Sequence, residues 1–215
     1  TGVNLFDFPL EEQCELINYA GAQLVAAGAP QPVAFRAGNY GANDDTLRAL
    51  DQVGIAYDTS HCPALTGTAS RITLGSDDRD PLSHEGVIEV PVGSIGQLGS
   101  GQQRHAQITA LSLAEMRAAL LHARDIGRES FTLVSHSFEL FNRRKRTANP
   151  IVRHRFDGLC EWLRDTPGIT TGTYRDHPPQ VMAQTHSPEL LPASAWRTGW
   201  RYAEQALSNT LYGAT

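Results

Sequence analysis

Two short apolar runs, Pro32-Val33-Ala34-Phe35 and Ile55-Ala56-Tyr57, flank one helix signature. Asn43 stands at the N-cap, Leu47, Leu50 and Val53 share a face, and Gly54 supplies the stop. Strand, helix and strand in under thirty residues make a βαβ unit. Two strands joined through a helix run parallel, which commits the chain to an α/β sheet. The same alternation recurs on both sides. Upstream, Cys14, Ile17, Gly21, Leu24 and Val25 form a helical stripe with Glu11 and Glu12 in the first turn and Gly28 beyond it. Downstream, Ser112 and Glu115 form a capping box with Leu111 and Met116 at the staple positions, and that helix runs to Gly127. Phe131 to Val134 reads as a strand. Asn149-Pro150 starts a helix whose apolar face is Val152, Phe156, Leu159, Cys160 and Leu163, with Gly168 just past it. Ile169 to Tyr174 reads as a further strand, and Trp196, Trp200, Ala203 and Leu207 mark a last amphipathic helix.

Composition narrows the function classes. With 215 residues the chain is long enough for one large domain with its own core, and it is taken as a single domain over 1–215. A balance of 18 basic against 23 acidic residues, net −5, disfavours a general nucleic-acid footprint. No apolar run approaches the roughly 18 residues of a membrane span. Cys14, Cys62 and Cys160 stand far apart, which is neither a disulfide framework nor a thiolate zinc site; Cys14 and Cys160 read as small buried hydrophobes. No signal peptide is visible, but the chain opens at Thr1 without Met, so this says little about compartment.

Residues 59–111 break the alternation. They are rich in Gly, Ser and Asp, carry one convincing strand at Val87-Ile88-Glu89-Val90, and read as an active-site loop or small β insertion. Within them, Gly93 to Gly101 has neither dinucleotide-binding nor P-loop spacing and reads as a flexible loop, and Asp77, Asp78 and Asp80 read as a solvated turn. In parallel α/β folds the working side chains sit where strands end. That rule selects Arg36 after Phe35, Asp58 after Tyr57, and His136 after Val134-Ser135, as a polar cluster on one rim. There is no G-x-S-x-G, so Ser135-His136-Ser137 is not a nucleophile elbow. The basic run Arg143-Arg144-Lys145-Arg146 is either a solvated loop or a patch that captures an anionic group.

Phe35-Arg36-Ala37-Gly38-Asn39-Tyr40-Gly41, followed by Asn43-Asp44-Asp45-Thr46-Leu47 and Tyr57-Asp58-Thr59-Ser60, resembles the third motif region of the polysaccharide deacetylases. These are the NodB-homology group, carbohydrate esterase family four. Leu133-Val134-Ser135-His136 resembles that family's fifth motif. The resemblance covers about residues 30 to 140. It implies a distorted (β/α) barrel of about seven strands and a divalent metal, commonly zinc. It also implies roles for particular residues. Arg36 would orient the catalytic base, and His136 would be the general acid for the leaving amine. Tyr40 or its neighbour would offer an oxyanion-hole N–H, and Leu133 would line the acetyl pocket; Asp58 and His61 are further substrate-binding candidates. Gly38 replaces the family's usual Pro, and Ser135 its usual Leu.

The family's metal ligands and base belong to motifs that precede the arginine motif. Here only residues 1–31 precede it, with no His and with Asp7 as the single aspartate, so those ligands and the first barrel strands are expected upstream of this chain. The expected activity is a metal-dependent hydrolase acting on an N- or O-acetylated saccharide, with a saccharide as partner. The alternatives are a catalytically inactive carbohydrate-binding relative and a hydrolase of a non-sugar amide.

Overall fold

The computed structural model describes residues 2–99, 101–142, 147–181 and 187–212. The chain divides into two compact units, Thr1–Val92 with Gly172–Pro188, and Gly93–Thr171 with Glu189–Thr215.

The first unit is built on the βαβ unit read from the sequence. Strand β1 (Ala34–Phe35) and strand β2 (Tyr57–Asp58) pair in parallel, Phe35 opposite Asp58. Between them, helix α2 (Asp44–Gln52) starts where the Asn43 side chain accepts the Thr46 N–H at 3.1 Å. It ends at Gly54, whose φ of +78° only glycine adopts readily. Helix α1 (Leu10–Ala26) packs against α2. Their contact is not wholly apolar: Gln13 is buried, donates to the Phe8 carbonyl at 2.9 Å and accepts the Thr46 hydroxyl at 2.6 Å. Ile17, Leu47, Leu50, Ile55, Ile72 and Val87 fill the core around them. Only the first half of the α1 stripe is used, since Leu24 and Val25 are exposed and Cys14 is half-buried.

The segment expected to be an insertion extends the sheet instead. Strand β4 (Val87–Glu89) runs parallel to β2, and strand β3 (Leu82–His84) pairs antiparallel with β4, giving the order β1-β2-β4-β3. A two-residue turn, Glu85-Gly86, joins β3 to β4 with both residues at positive φ. Glu85 holds this turn against its own preference, and both its carboxylate oxygens accept from Arg48 at 2.8 Å. Asp77, Asp78 and Asp80 do lie in a loop, where Asp78 accepts the Gly75 N–H. Ile169 to Tyr174 forms no strand; Thr173 opens a turn that closes at Asp176 and His177, and Tyr174 stacks on Tyr57.

In the second unit the glycine-rich stretch is an antiparallel hairpin, β5 (Ser94–Gly96) with β6 (Gln103–His105). Helix α3 (Leu113–Asp125) carries the capping box, Ser112 and Glu115 satisfying each other's backbone N–H. Phe131 to Val134 is extended but is no regular strand. It makes an isolated parallel bridge from Val134 to Gln107, and its Thr132 and Val134 carbonyls accept from Gly93 and Ile108. A short hairpin, β7 (Phe141–Asn142) with β8 (Thr147–Ala148), precedes helix α4 (Pro150–Asp165). The basic run 143–146 lies outside the described residues. On α4, Val152 and Leu159 are buried, but Arg155 takes the inner position and Phe156, about 100° further round, is 36% exposed; Cys160 is exposed as well. Helix α5 (Ala195–Tyr212) closes the unit. Ile95, Ile108, Leu111, Met116, Val152 and Leu159 form this core.

The class is therefore mixed α/β, and among the described residues no sheet closes into a barrel. Among them, too, no helix is long and apolar enough to cross a membrane.

Candidate functional site

The carboxyl ends of the parallel strands β1, β2 and β4 carry Arg36, Asp58 and Glu89. The strand-end rule names His136 as the third member of that rim. His136 belongs to the other unit, and the third neighbour here is Glu89. Asp58 and Glu89 are opposite one another in the β2–β4 register, and both are fully buried. Two carboxylates side by side without solvent cannot both ionise. Burial pushes both upward, Glu89 well above its ordinary range because the Asp58 charge adjoins it. The hydrogen bonds decide where the charge sits. Asp58 accepts the Ser60 N–H and the Ser60 hydroxyl, both at 2.9 Å, whereas Glu89 Oε1 accepts only the His61 N–H, at 3.0 Å. Asp58 is thus the carboxylate, and Glu89 keeps the proton and donates it to Asp58.

Ser60 ties this pair to the arginine turn, because its Oγ also accepts the Ala37 N–H at 2.8 Å. The turn itself is strained. Asn39 and Tyr40 both sit in the left-handed region, at φ +57° and +58°, tolerable for Asn and unfavourable for a buried Tyr. Gly41 follows because a Cβ there would stand 2.6 Å from the Asn4 side chain. The Arg36 guanidinium lies 5.9 Å from the Tyr40 ring centre, and the Tyr40 N–H donates to the Ala37 carbonyl at 3.2 Å.

His61 lies in the same network. Its Nε2 meets the Gly75 carbonyl at 3.0 Å; a carbonyl can only accept, so Nε2 carries the hydrogen and Nδ1 presents a lone pair. Nδ1 is buried with no hydrogen-bond partner among the described residues. Burial pushes the His61 pKa down, so the ring is neutral at pH 7. Burial also pushes the neighbouring Cys62 thiol up to about 12, which removes it as a nucleophile.

In the second unit His136 heads a four-residue 3₁₀ turn and is held by Glu139. Glu139 Oε2 accepts the His136 N–H at 2.9 Å, and Glu139 Oε1 lies 3.5 Å from His136 Nδ1. The ring stacks on Phe138 at 4.9 Å. Within its own unit, the carboxylate beside His136 is Glu139, three residues on. Glu139 Oε1 also accepts from the Thr109 hydroxyl at 3.0 Å and from the Gln107 amide, and Gln107 Oε1 meets His105 Nε2 at 3.0 Å. Burial lowers the His105 pKa, so that ring too is neutral. Leu133 is half-buried and packs against the apolar core of this unit.

Sequence reasoning misses both Glu89 and Glu139. Glu89 carries a signal as a charged residue inside an apolar strand, and Glu139 as the third residue after His136 in a capping spacing.

The expected divalent metal needs a set of free ligand atoms. Among the described residues, Asp44, His84 and Glu85 bring three ligand atoms within 4.8 Å of one another. They do not fit a metal. Both Glu85 oxygens are taken by Arg48, and both Asp44 oxygens by the Thr73 N–H and hydroxyl, at 2.9 and 2.6 Å. A cation would have to displace a guanidinium that already neutralises the site.

No protein-family model matches the chain, and no curated protein or solved structure matches it either.

Proposed function

We propose that the protein hydrolyses acetyl groups from an N- or O-acetylated saccharide, as the polysaccharide deacetylases that its third and fifth motif regions resemble do. One observation carries this reading. Arg36 and Asp58, which the resemblance singles out, stand at the carboxyl ends of adjacent parallel strands, where the Ala37 N–H beside Arg36 is tied to Asp58 through the Ser60 hydroxyl. That edge is where parallel α/β enzymes hold their chemistry. On this reading the β1-β2-β4 run is an arc of a distorted (β/α) barrel of about seven strands.

The roles follow from chemistry. Water adds to the acetyl carbonyl carbon, the C–N or C–O bond breaks, acetate leaves, and the departing amine or alkoxide takes a proton. Arg36 supplies a permanent positive charge to orient a carboxylate. His136, with Glu139 Oε1 3.5 Å from Nδ1, is the candidate to give the departing group its proton. Tyr40, His61 and Leu133 remain candidates for substrate contact. Because no described cluster fits a metal, no step is assigned to one.

The test is acetate release by the complete, upstream-extended protein from acetylated chito- and xylo-oligosaccharides, followed by NMR, with and without added zinc. Turnover is expected, and His136→Ala should lower kcat by about 10²–10⁴-fold with melting unchanged. Saccharide binding without acetate release in either condition would transfer the protein to the carbohydrate-binding class.

A further inference from the structure

Two ion pairs fix how helix α5 lies within its unit. Arg201 Nε donates to Glu115 at 3.1 Å, and Glu204 accepts from the buried Arg155 at 2.6 and 2.9 Å. Positions 201, 204, 205 and 208 share one helix face, so these pairs turn Gln205 and Ser208 inward. The apolar stripe with Trp196 and Trp200 consequently faces solvent. Asn209 follows Gln205 one turn on. Gln205, Ser208 and Asn209 line a cavity of about 290 Å³, open to solvent, together with Thr109 and the first turns of α4. Among the described residues, no hydrogen bond holds the Gln205 carboxamide, the Ser208 hydroxyl or the Asn209 carboxamide.

The charge of that lining selects its ligand. Arg155 borders the cavity, but Glu204 already neutralises its guanidinium, and its Nη1 donates to the Ile108 and Thr109 carbonyls at 3.3 and 3.5 Å. The Ile151 and Val152 N–H groups are taken by Asn149 Oδ1, at 3.2 and 3.4 Å. An anion therefore finds no unspent positive charge. A cation finds no carboxylate among the described lining residues. A wholly apolar ligand would leave three polar groups without water or partner. A neutral ligand rich in hydroxyls fits, because each carboxamide and the hydroxyl can both donate and accept. Ile151 and Val152 add an apolar patch for the C–H face of a sugar ring. The volume, just under the ~300 Å³ at which small-molecule sites begin, suits one ring rather than a chain.

We propose that this cavity binds one neutral pyranose ring, as a saccharide subsite beside His136. The Thr109 hydroxyl donates to Glu139 Oε1, and Glu139 Oε2 accepts the His136 N–H. The cavity wall thus stands two hydrogen bonds from the candidate acid. That the ring belongs to the substrate rests on the deacetylase reading; that it is a neutral sugar rests on the lining alone.

NMR titration of the ¹⁵N-labelled full chain with N-acetylglucosamine and with triacetylchitotriose tests this. The side-chain carboxamide signals of Gln205 and Asn209 should shift with either sugar, with a dissociation constant on the order of 1 mM. Gln205→Ala combined with Asn209→Ala removes two recognition groups where alanine favours the helix, so binding should weaken at least tenfold without loss of melting temperature. No shift of these signals at sugar concentrations of about 20 mM overturns the proposal. So does sugar binding that the double variant leaves unchanged, or an equal shift with sodium phosphate, which would make this an anion site. Sugar binding here, in an upstream-extended protein that releases no acetate, upholds the sugar site and overturns only the deacetylase reading.

Discussion

Replacing Glu89 by Gln changes one atom of a fully buried side chain and removes its titration. The amide Oε1 can still accept the His61 N–H, and the amide nitrogen can donate to Asp58 as the protonated carboxyl does. The two proteins should therefore differ chiefly in how stability depends on pH. In the folded wild type, burial and the Asp58 charge hold the Glu89 pKa well above its ordinary 4.5, the value expected once the chain unfolds. Between those two values the folded state binds one proton more than the unfolded state. Stability is therefore complete below about pH 4.5 and falls as pH rises toward the folded value, by about 1.4 kcal/mol per pH unit for a single proton. The amide of the Glu89→Gln variant has no such proton to lose, so this slope vanishes from the variant. Groups outside the pair contribute alike to both proteins and cancel in the difference, which therefore reads the Asp58–Glu89 pair as a unit. Urea unfolding followed by far-ultraviolet circular dichroism at half-unit steps from pH 4.5 to 8 measures that difference. Over pH 5 to 6 the variant should gain about 1.4 kcal/mol on the wild type, a tenfold shift in the unfolding constant. Amide exchange of the first unit should show the gain there and not in the second. Parallel pH profiles for the two proteins would mean that Glu89 is ionised in the fold, and the proton-sharing assignment would fail.

Other substitutions probe the second unit. Leu159→Ala, at a buried position on α4, should cost about 2–5 kcal/mol, while Phe156→Ala, already 36% exposed, should cost only about 1–2; thermal unfolding that ranks them the other way would mean the helix is rotated. Arg201→Met leaves the Glu115 carboxylate buried without its guanidinium, an expected loss of about 3–5 kcal/mol. Adding Glu115→Gln should restore most of it, and a double variant no better than the single would refute the pairing. Ser112→Ala removes both the α3 cap and a donor to Glu115, so its cost in thermal unfolding should fall toward the upper end of about 0.5–2 kcal/mol.

Local signals carried the parts of this fold that local physics decides. Asn43, the Ser112–Glu115 box, Pro150 and the stops at Gly28, Gly54 and Gly127 each act within a turn or two of their own position, and each lies where its chemistry put it. The parallel pairing of β1 and β2 was legible for the same reason, because the helix between them leaves little other choice. Long-range pairings were not legible. Val87 to Glu89 reads as an apolar strand, but its parallel partner is β2 across thirty residues, and nothing local announces that Glu89 lands opposite Asp58. Phe131 to Val134 has strand composition, yet it meets its neighbours only through single bridges, so its propensity goes largely unused.

Helix α5 shows the sharpest limit of pattern reading. Periodicity identifies an apolar face but not the direction in which it points. The usual inference that the apolar face turns inward assumes that burial of that face dominates the roll of the helix. In α5 two ion pairs oppose it, Arg201 with Glu115 and Arg155 with Glu204. Their inner members are almost wholly buried, and either would be left as an uncompensated charge if the helix turned over, at a cost of several kcal/mol each. Exposing the stripe costs less, because Trp200, at 50% exposed, and Leu207, at 53%, keep part of their surface covered in the outward roll, so the two salt bridges decide the direction in which the stripe points.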